Sequence, residues 1–543
     1  MASEVCSFSS SSTSTRELSK RDSLHAAGSV FFVSSAGRVL RLPIPSTSHR
    51  DPLTWCPSKR AFAFIALQLY SIVASFELNL PGFLVKAIQK EFANDDIAPF
   101  SVQTLSSAMT LFVGIGYLVG IPLSTAVGRR PVLLGSALLT TGSTFWAGVA
   151  GNFPQLLIAI GLQGLACGGA TGMFILILID ATFIHERPNA LSLYWCSGAV
   201  FVKLSLIILP FTTDLSTNWR SVYQGWLAPC LVALTLALIF IPETYFLRPP
   251  VALDGRILVQ SSSEKVQIYE GWEDVEAGSE RPLPELPVSR SPLSHLKVSR
   301  APGTSWAAMA ATYKQILLCI LNPLTFWVSL LTGVILSGVI YLNLAQPSVL
   351  VVRWGEDPET VSMLSGVSGI VGSLLAFPAT GPLASWFTRF YSLRMGGIRH
   401  AEVYLPIFAL PVLSGLISVI LNAFAIEEEW APTWMYITSA LSLFSFLTGN
   451  VAFTLWITEA FPRWAAAALA VQLFTSNMIS FGIGTAIMPW VETKHIVEPA
   501  VVISVLMLVL GVLAVPAAFW GKNVRQFIHG RWSDSEKGAL RPQ

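Results

Sequence analysis

Charge is what this chain is short of. Asp, Glu, Lys and Arg make up 12% of its 543 residues, against about 25% in a water-soluble domain. Hydrophobic residues reach 53%, so a soluble globule is excluded. The 34 basic and 32 acidic residues leave a net charge of +2, which gives no electrostatic footprint for nucleic acid. The six cysteines (Cys6, Cys56, Cys167, Cys196, Cys230 and Cys319) form no CxxC pair. Several fall in or beside apolar runs and read as small apolar residues, with no disulfide framework or metal site implied. No G-x-x-x-x-G-K-[ST] loop is present to cradle ATP phosphates, which disfavours a primary pump. No H-E-x-x-H, nucleophile elbow or selectivity-filter sequence occurs, so neither an enzyme nor a channel is favoured and no cofactor is expected.

What the chain has is apolar length. Twelve stretches of roughly 20 apolar residues, enough to cross a bilayer as helices, fall six and six around one polar insert. Approximate spans are 61–84, 102–124, 131–151, 154–177, 190–212 and 222–242, then 323–345, 361–381, 404–426, 432–455, 464–488 and 500–519. Only helices satisfy their backbone within one segment in lipid. The expected fold is an all-α integral membrane protein of twelve transmembrane helices in two six-helix bundles, 58–246 and 313–520. Residues 1–57 read as a disordered cytosolic tail, 247–312 as a cytosolic linker and 521–543 as a cytosolic C-terminal tail. The Arg and Ser of the first tail also suit a mitochondrial transit peptide, against which Glu4, Glu17 and Asp22 count.

Loop charges set the orientation. Arg129, Arg130, Arg187, Arg389, Arg394, Arg399, Arg463, Lys522 and Arg525 fall on one side, and Glu91, Asp214, Glu356 and Glu427 to Glu429 on the other. Basic loops stay in the cytoplasm. Both termini and the insert are therefore expected inside.

Several loops resemble signatures of the major facilitator superfamily. Pro122-Leu123-Ser124-Thr125-Ala126-Val127-Gly128-Arg129-Arg130-Pro131 is similar to its G-x-L-a-D-r-x-G-R-R-P motif. Asp180-Ala181-Thr182-Phe183-Ile184-His185-Glu186-Arg187 resembles a D-x-x-F-x-H-E-R segment of its fungal members, and Pro242-Glu243-Thr244-Tyr245-Phe246-Leu247-Arg248 their PETY-x-x-R. Gly381-Pro382-Leu383-Ala384, Gly396-Gly397-Ile398-Arg399 and Asp51-Pro52-Leu53-Thr54-Trp55 follow the same pattern. The resemblance covers about residues 50 to 522 and points to the fungal drug:proton antiporter-like branch. Three departures stand out. The signature acid falls on Thr125, its second-half counterpart on Ser385, and the fourth-span arginine on Ile160. In the family those acids latch helices at the cytoplasmic side, so here the latch is weakened or rebuilt.

Transporters of this kind bind substrate near the midplane and rock around it. The drawn spans hold two formal charges, Glu77 and Lys203, within roughly 5 Å of each other in depth at 1.5 Å per residue. They are candidates for proton or substrate binding, either as a working ion pair or as a static bridge, or as two groups that snorkel separately. Gln163, Asn343, Tyr341, Asn450 and Asn477, with Trp327, Trp456 and Gln472, are candidates for lining a pocket, against a plain helix-packing role. Arg129, Arg130, Asp180, Arg187, Glu243, Arg248, Glu459 and Arg463 are candidate latches at the cytoplasmic ends. Together these imply a secondary active transporter of a small organic molecule in the plasma membrane. It is expected to work as a monomer, coupled to protons, and to export an amphipathic, largely uncharged cargo. Import of an amine or nutrient, or a receptor built like a transporter, are the alternatives.

Overall fold

The computed structural model describes residues 29–31, 42–43, 45, 51–92, 100–212, 218–246, 258–260, 266–268, 298, 300–352, 354–355, 357–394, 398–462, 464–492 and 496–532. Among them, 11 helices are long and apolar enough to cross a membrane, and a bent helix pair makes up to 12. The first half holds α1 (Pro57–Glu91), α2 (Thr104–Val127), α3 (Arg129–Val149), α4 (Phe153–Asp180), α5 (Arg187–Thr212) and α6 (Trp219–Phe240). A shorter helix, α7 (Trp306–Leu321), leads into the second half. That half holds α8 (Pro323–Val352), α9 (Pro358–Thr380) with its continuation α10 (Pro382–Arg394), α11 (Ala409–Glu427), α12 (Pro432–Ala460), α13 (Ala465–Glu492) and the pair α14 (Val497–Val512) and α15 (Ala514–Trp532). The last pair bends by 42°. Pro516 accounts for the break, because its ring clashes with the carbonyl four residues back, that of Val512, and it lacks an N–H.

Starts are set by recognisable chemistry. Asn152 caps α4 by accepting from Gln155 N at 3.0 Å, with Pro154 in the first turn where a missing N–H costs nothing. Ser305 caps α7 in the same way, accepting from Ala308 N at 2.9 Å. The expected boundary between linker and second bundle at residue 312 falls inside this helix. An alanine-rich run behind a serine cap is enough to start it. Of the first tail, the described part includes a 3-10 turn (Pro52–Thr54) that buried Asp51 caps, and a strand, β1 (Ser29–Phe31). The rest of that tail and most of the insert lie outside the described residues. Within the insert, β2 (Leu258–Gln260) and β3 (Val266–Ile268) pair antiparallel. β1 pairs antiparallel with β4 (Ile398–His400) of the second half, placing Val30 opposite Arg399.

Small residues let the helices close up, as lipid-embedded packing requires. A Cβ on Gly120 would stand 2.8 Å from Gly169 Cα, and one on Gly164 would stand 2.7 Å from Met109 O. The backbones of α2 and α4 therefore touch along their glycine faces. The two halves meet along α2 with α13 and along α5 with α9. Ser192 of α5 bonds Thr380 of α9 at 2.9 Å and donates to Phe377 O at 3.1 Å.

Candidate functional site

Glu77, on α1, is fully buried inside the first half. Its Oε1 accepts from Thr144 Oγ1 of α3 at 2.5 Å and from Cys230 Sγ of α6 at 3.3 Å. Gln163 Nε2, on α4, donates to Thr144 Oγ1 at 3.1 Å. Tyr70 and Thr140 extend the cluster with an O···O contact of 3.2 Å. Four helices thus converge on one carboxyl, and no cation stands among its partners. Two acceptors are left over: Glu77 Oε2 and Gln163 Oε1 are both buried with no hydrogen-bond partner among the described residues.

Lys203 is elsewhere. The ion pair with Glu77 that matching depth suggested is not formed among the described residues, because Lys203 packs against α9 of the second half. Its stem lies against the second half instead. A Cβ on Gly369 of α9 would stand 3.1 Å from Lys203 Cε and 3.2 Å from Leu443 Cδ2 of α12. No carboxylate among the described residues lies in salt-bridge reach of it.

The second half carries a network that the sequence reading missed. Gln346 Nε2, on α8, donates to Asn422 Oδ1 of α11 at 2.7 Å, and to Thr438 Oγ1 and Met435 O of α12 at 3.1 and 2.9 Å. The signal available was an amide inside an apolar run, the criterion already applied to Asn343. The candidates first chosen there sit differently. Asn343 is exposed. Tyr341 is buried, its hydroxyl donating to Ile496 O at 3.0 Å. Asn450 and Asn477 each donate to a carbonyl four residues back, Phe446 and Leu473, both at 2.8 Å. Asn477 nonetheless flanks the half–half seam, since a Cβ on Gly114 of α2 would stand 3.2 Å from its Cβ. Gln472 reaches Thr332 at 3.5 Å, and Trp327 packs edge-on against Trp456 with ring centroids 6.0 Å apart.

The arginine-rich end of the bundle is latched in both halves. Arg129 pairs with Asp180 at 3.4 Å, donates to Ser124 Oγ and lies over the Tyr245 ring. Glu243 caps α3, accepting from the backbone N–H of Arg129 and Arg130 at 3.0 and 3.2 Å, and from Tyr245 N at 2.8 Å. Burial raises the Glu243 pKa, while these backbone N–H groups pull it back. Gly128, at φ 113°, is where the Glu243 carboxylate passes, and a Cβ would collide with it. Arg130 donates to Leu238 O at 2.8 Å, and Arg187 is buried at the start of α5. In the second half Glu459 accepts from Arg399 and from Tyr404 Oη, both at 3.0 Å. Arg525 Nε donates to Glu402 at 3.0 Å and its Nη1 to Ala460 O at 3.3 Å. Arg248 and Arg463, expected as partners of Glu243 and Glu459, lie outside the described residues.

Where the signature acid is missing, the end of α2 is held by a hydroxyl contact, backbone N–H groups and the Arg300 guanidinium. Thr125 Oγ1 lies 3.4 Å from Thr312 Oγ1 of α7. The last carbonyls of α2 are capped by the segment before α7: Thr125 O accepts from Ser305 N at 3.3 Å, Ala126 O from Arg300 Nε at 2.9 Å and Val127 O from Ala301 N at 3.0 Å. Ser385, the second-half counterpart, has a buried hydroxyl with no partner among the described residues. Ile160 packs in an apolar cluster with Leu156 and Met109.

The sequence profile of the Major Facilitator Superfamily matches residues 67–485. An MFS-type transporter of Schizosaccharomyces pombe is 19% identical over 93% of this chain and 91% of its own. The MFS-type transporter paaT of Penicillium rubens is 20% identical over 90% of this chain and 84% of its own. Among solved structures, the proton:xylose symporter XylE bound to 6-bromo-6-deoxy-D-glucose superposes with a TM-score of 0.58 at 13% identity, covering 86% of this chain and 96% of that one. The helix order, the paired halves and the profile match agree, and the chain belongs to the major facilitator superfamily, as a multi-pass membrane transporter of small molecules.

Proposed function

We propose that the protein is a proton-coupled secondary transporter that exports a small amphipathic organic molecule by alternating access, with Glu77 as the group that carries the proton. The observation behind this is the uncompensated pair of acceptors at Glu77 Oε2 and Gln163 Oε1. Two buried acceptors facing no donor cost several kcal/mol, and a carboxylate without a cation costs more. One proton on Glu77 supplies the missing donor and removes the charge together. A rearrangement of α1 against α3, α4 and α6 that admits water then releases it. Export suits an apolar seam between the halves, where Trp195 of α5 meets Phe446 of α12. The basic end is the cytoplasmic face in this reading, with both termini inside and the protein in the plasma membrane.

The test uses the full-length protein in vesicles with a trapped pH dye and three probes of one shape: 4-phenylbutyrate, 4-phenylbutanamide and 4-phenylbutylamine. Whichever probe is moved should accumulate when a pH gradient is imposed. Glu77→Gln should keep probe exchange and lose both accumulation and proton movement. Undiminished pH-driven accumulation by Glu77→Gln would sink the proposal.

A further inference from the structure

Among the described residues, a charge at the seam between the halves, Lys203, has no carboxylate in reach. Lys203 is the second formal charge within the spans and stands apart from Glu77. It lies half-buried between α5, α9 and α12, with no carboxylate among the described residues within salt-bridge reach. Its place is built rather than incidental. Gly369 leaves the space its stem occupies, and a Cβ on Gly366, one turn away, would stand 3.6 Å from the Lys203 carbonyl. A Cβ at Gly369 would press on the stem, which would have to give by a few tenths of an ångström. An ammonium inside a membrane span is costly, and such groups mark substrate or ion paths by default. Its helix face is turned to the other half, across the line where the halves part as they rock.

We propose that the cargo is an amphipathic monocarboxylate and that Lys203 binds its carboxylate. This rests on the transport reading above and names the cargo class. A single cation matches one negative charge, whereas a phosphate dianion would need a second. The apolar body of the cargo lies against Leu443 and against the Trp195–Phe446 pair, whose rings meet edge-on across the seam at 6.2 Å. Trp195 Nε1 is buried without an acceptor and offers a second donor further along α5. The uncharged cargo expected from charge-poor spans gives way to an anion because Lys203 and Glu77 do not neutralise one another. The two groups divide the work: the cargo's charge is met in the seam and the proton inside the first half.

The experiment is counterflow of radiolabelled 4-phenylbutyrate by the full-length protein in vesicles, with the amide and amine as unlabelled competitors. The carboxylate should compete at least about tenfold better than the amide, the margin expected of a charge-assisted hydrogen bond. Lys203→Met should lose counterflow, and Lys203→Arg should keep part of it. Gly369→Val, which leaves the charge but fills the stem's space, should lose it too. Equal competition by amide or amine, wild-type counterflow in Lys203→Met, or no uptake above protein-free vesicles would overturn the assignment. Proton-coupled movement of the amine or amide in Lys203→Met would overturn the carboxylate while leaving the transport reading intact.

Discussion

Glu77 and Gln346 occupy corresponding places in the two halves. Each stands on the first spanning helix of its half and is tied to the third and fourth: Glu77 to Thr144, with Gln163 behind it, and Gln346 to Asn422 and Thr438. Gln346 is a neutral donor with its acceptors in place. In the proton-carrying role proposed above, a protonated Glu77 is its neutral counterpart.

Glu77→Gln should therefore fold as well as the parent, with stability changed by less than about 0.5 kcal/mol. Glu77→Leu strands Thr144 and Gln163 in an apolar core and should cost about 1–3 kcal/mol. Thermal unfolding in detergent distinguishes them. A Gln variant as damaged as the Leu variant would refute the correspondence with Gln346.

Gly128→Ala should destabilise the arginine-rich end by about 1–3 kcal/mol, since it imposes a Cβ on a residue at φ 113° and on the path of Glu243. Glu243→Ala should cost about 1 kcal/mol through the lost cap on α3. Because both changes act at one contact, the double variant should cost less than the sum of the two.

Arg300 and the backbone beside it close the end of α2 in place of the missing acid. Removing the guanidinium with Arg300→Ala should speed hydrogen exchange at Ala301 and Ser305 by about tenfold, the equivalent of one charged hydrogen bond. Exchange at Thr144, deep in the first half, should stay as it was.

At the opposite end, Arg220 binds Glu91 through two nitrogens, at 2.8 and 2.7 Å, and Trp219 donates its indole N–H at 2.6 Å. The Arg220 hydrogen bond holds the Glu91 pKa below its ordinary value. A carboxylate depressed in this way contributes stability above its unfolded pKa and loses it as pH falls through the folded one. The pair is well exposed, so screening limits the effect to about 1 kcal/mol or less. The difference in melting temperature between the parent and Glu91→Gln should shrink as pH drops from 7 to about 3.

Apolar length and loop charge made the spans legible in advance, because a bilayer demands both and each is written in consecutive residues. The partners were not legible. Asp180 meets Arg129, Glu459 meets Arg399 and Gln346 meets Asn422 across 51, 60 and 76 positions of chain. Only the packing of α3 on α4, of α8 on α11 and of β4 beside α12 brings such residues together. Depth along a span was readable for Glu77 and Lys203, but azimuth was not. A helix turns 100° per residue, so equal depth fixes nothing about which neighbour a side chain faces. The α7 helix escaped notice because it is too short to span and was judged with the polar insert around it.

The short pairing of β1 with β4 has a mechanical meaning. It ties the segment upstream of α1 to the second half. Arg399 stands at that tie, its strand paired with Val30's and its guanidinium donating to Glu459. A tilt of one bundle against the other therefore has to pull on this strand pairing as well as on the helices that face each other.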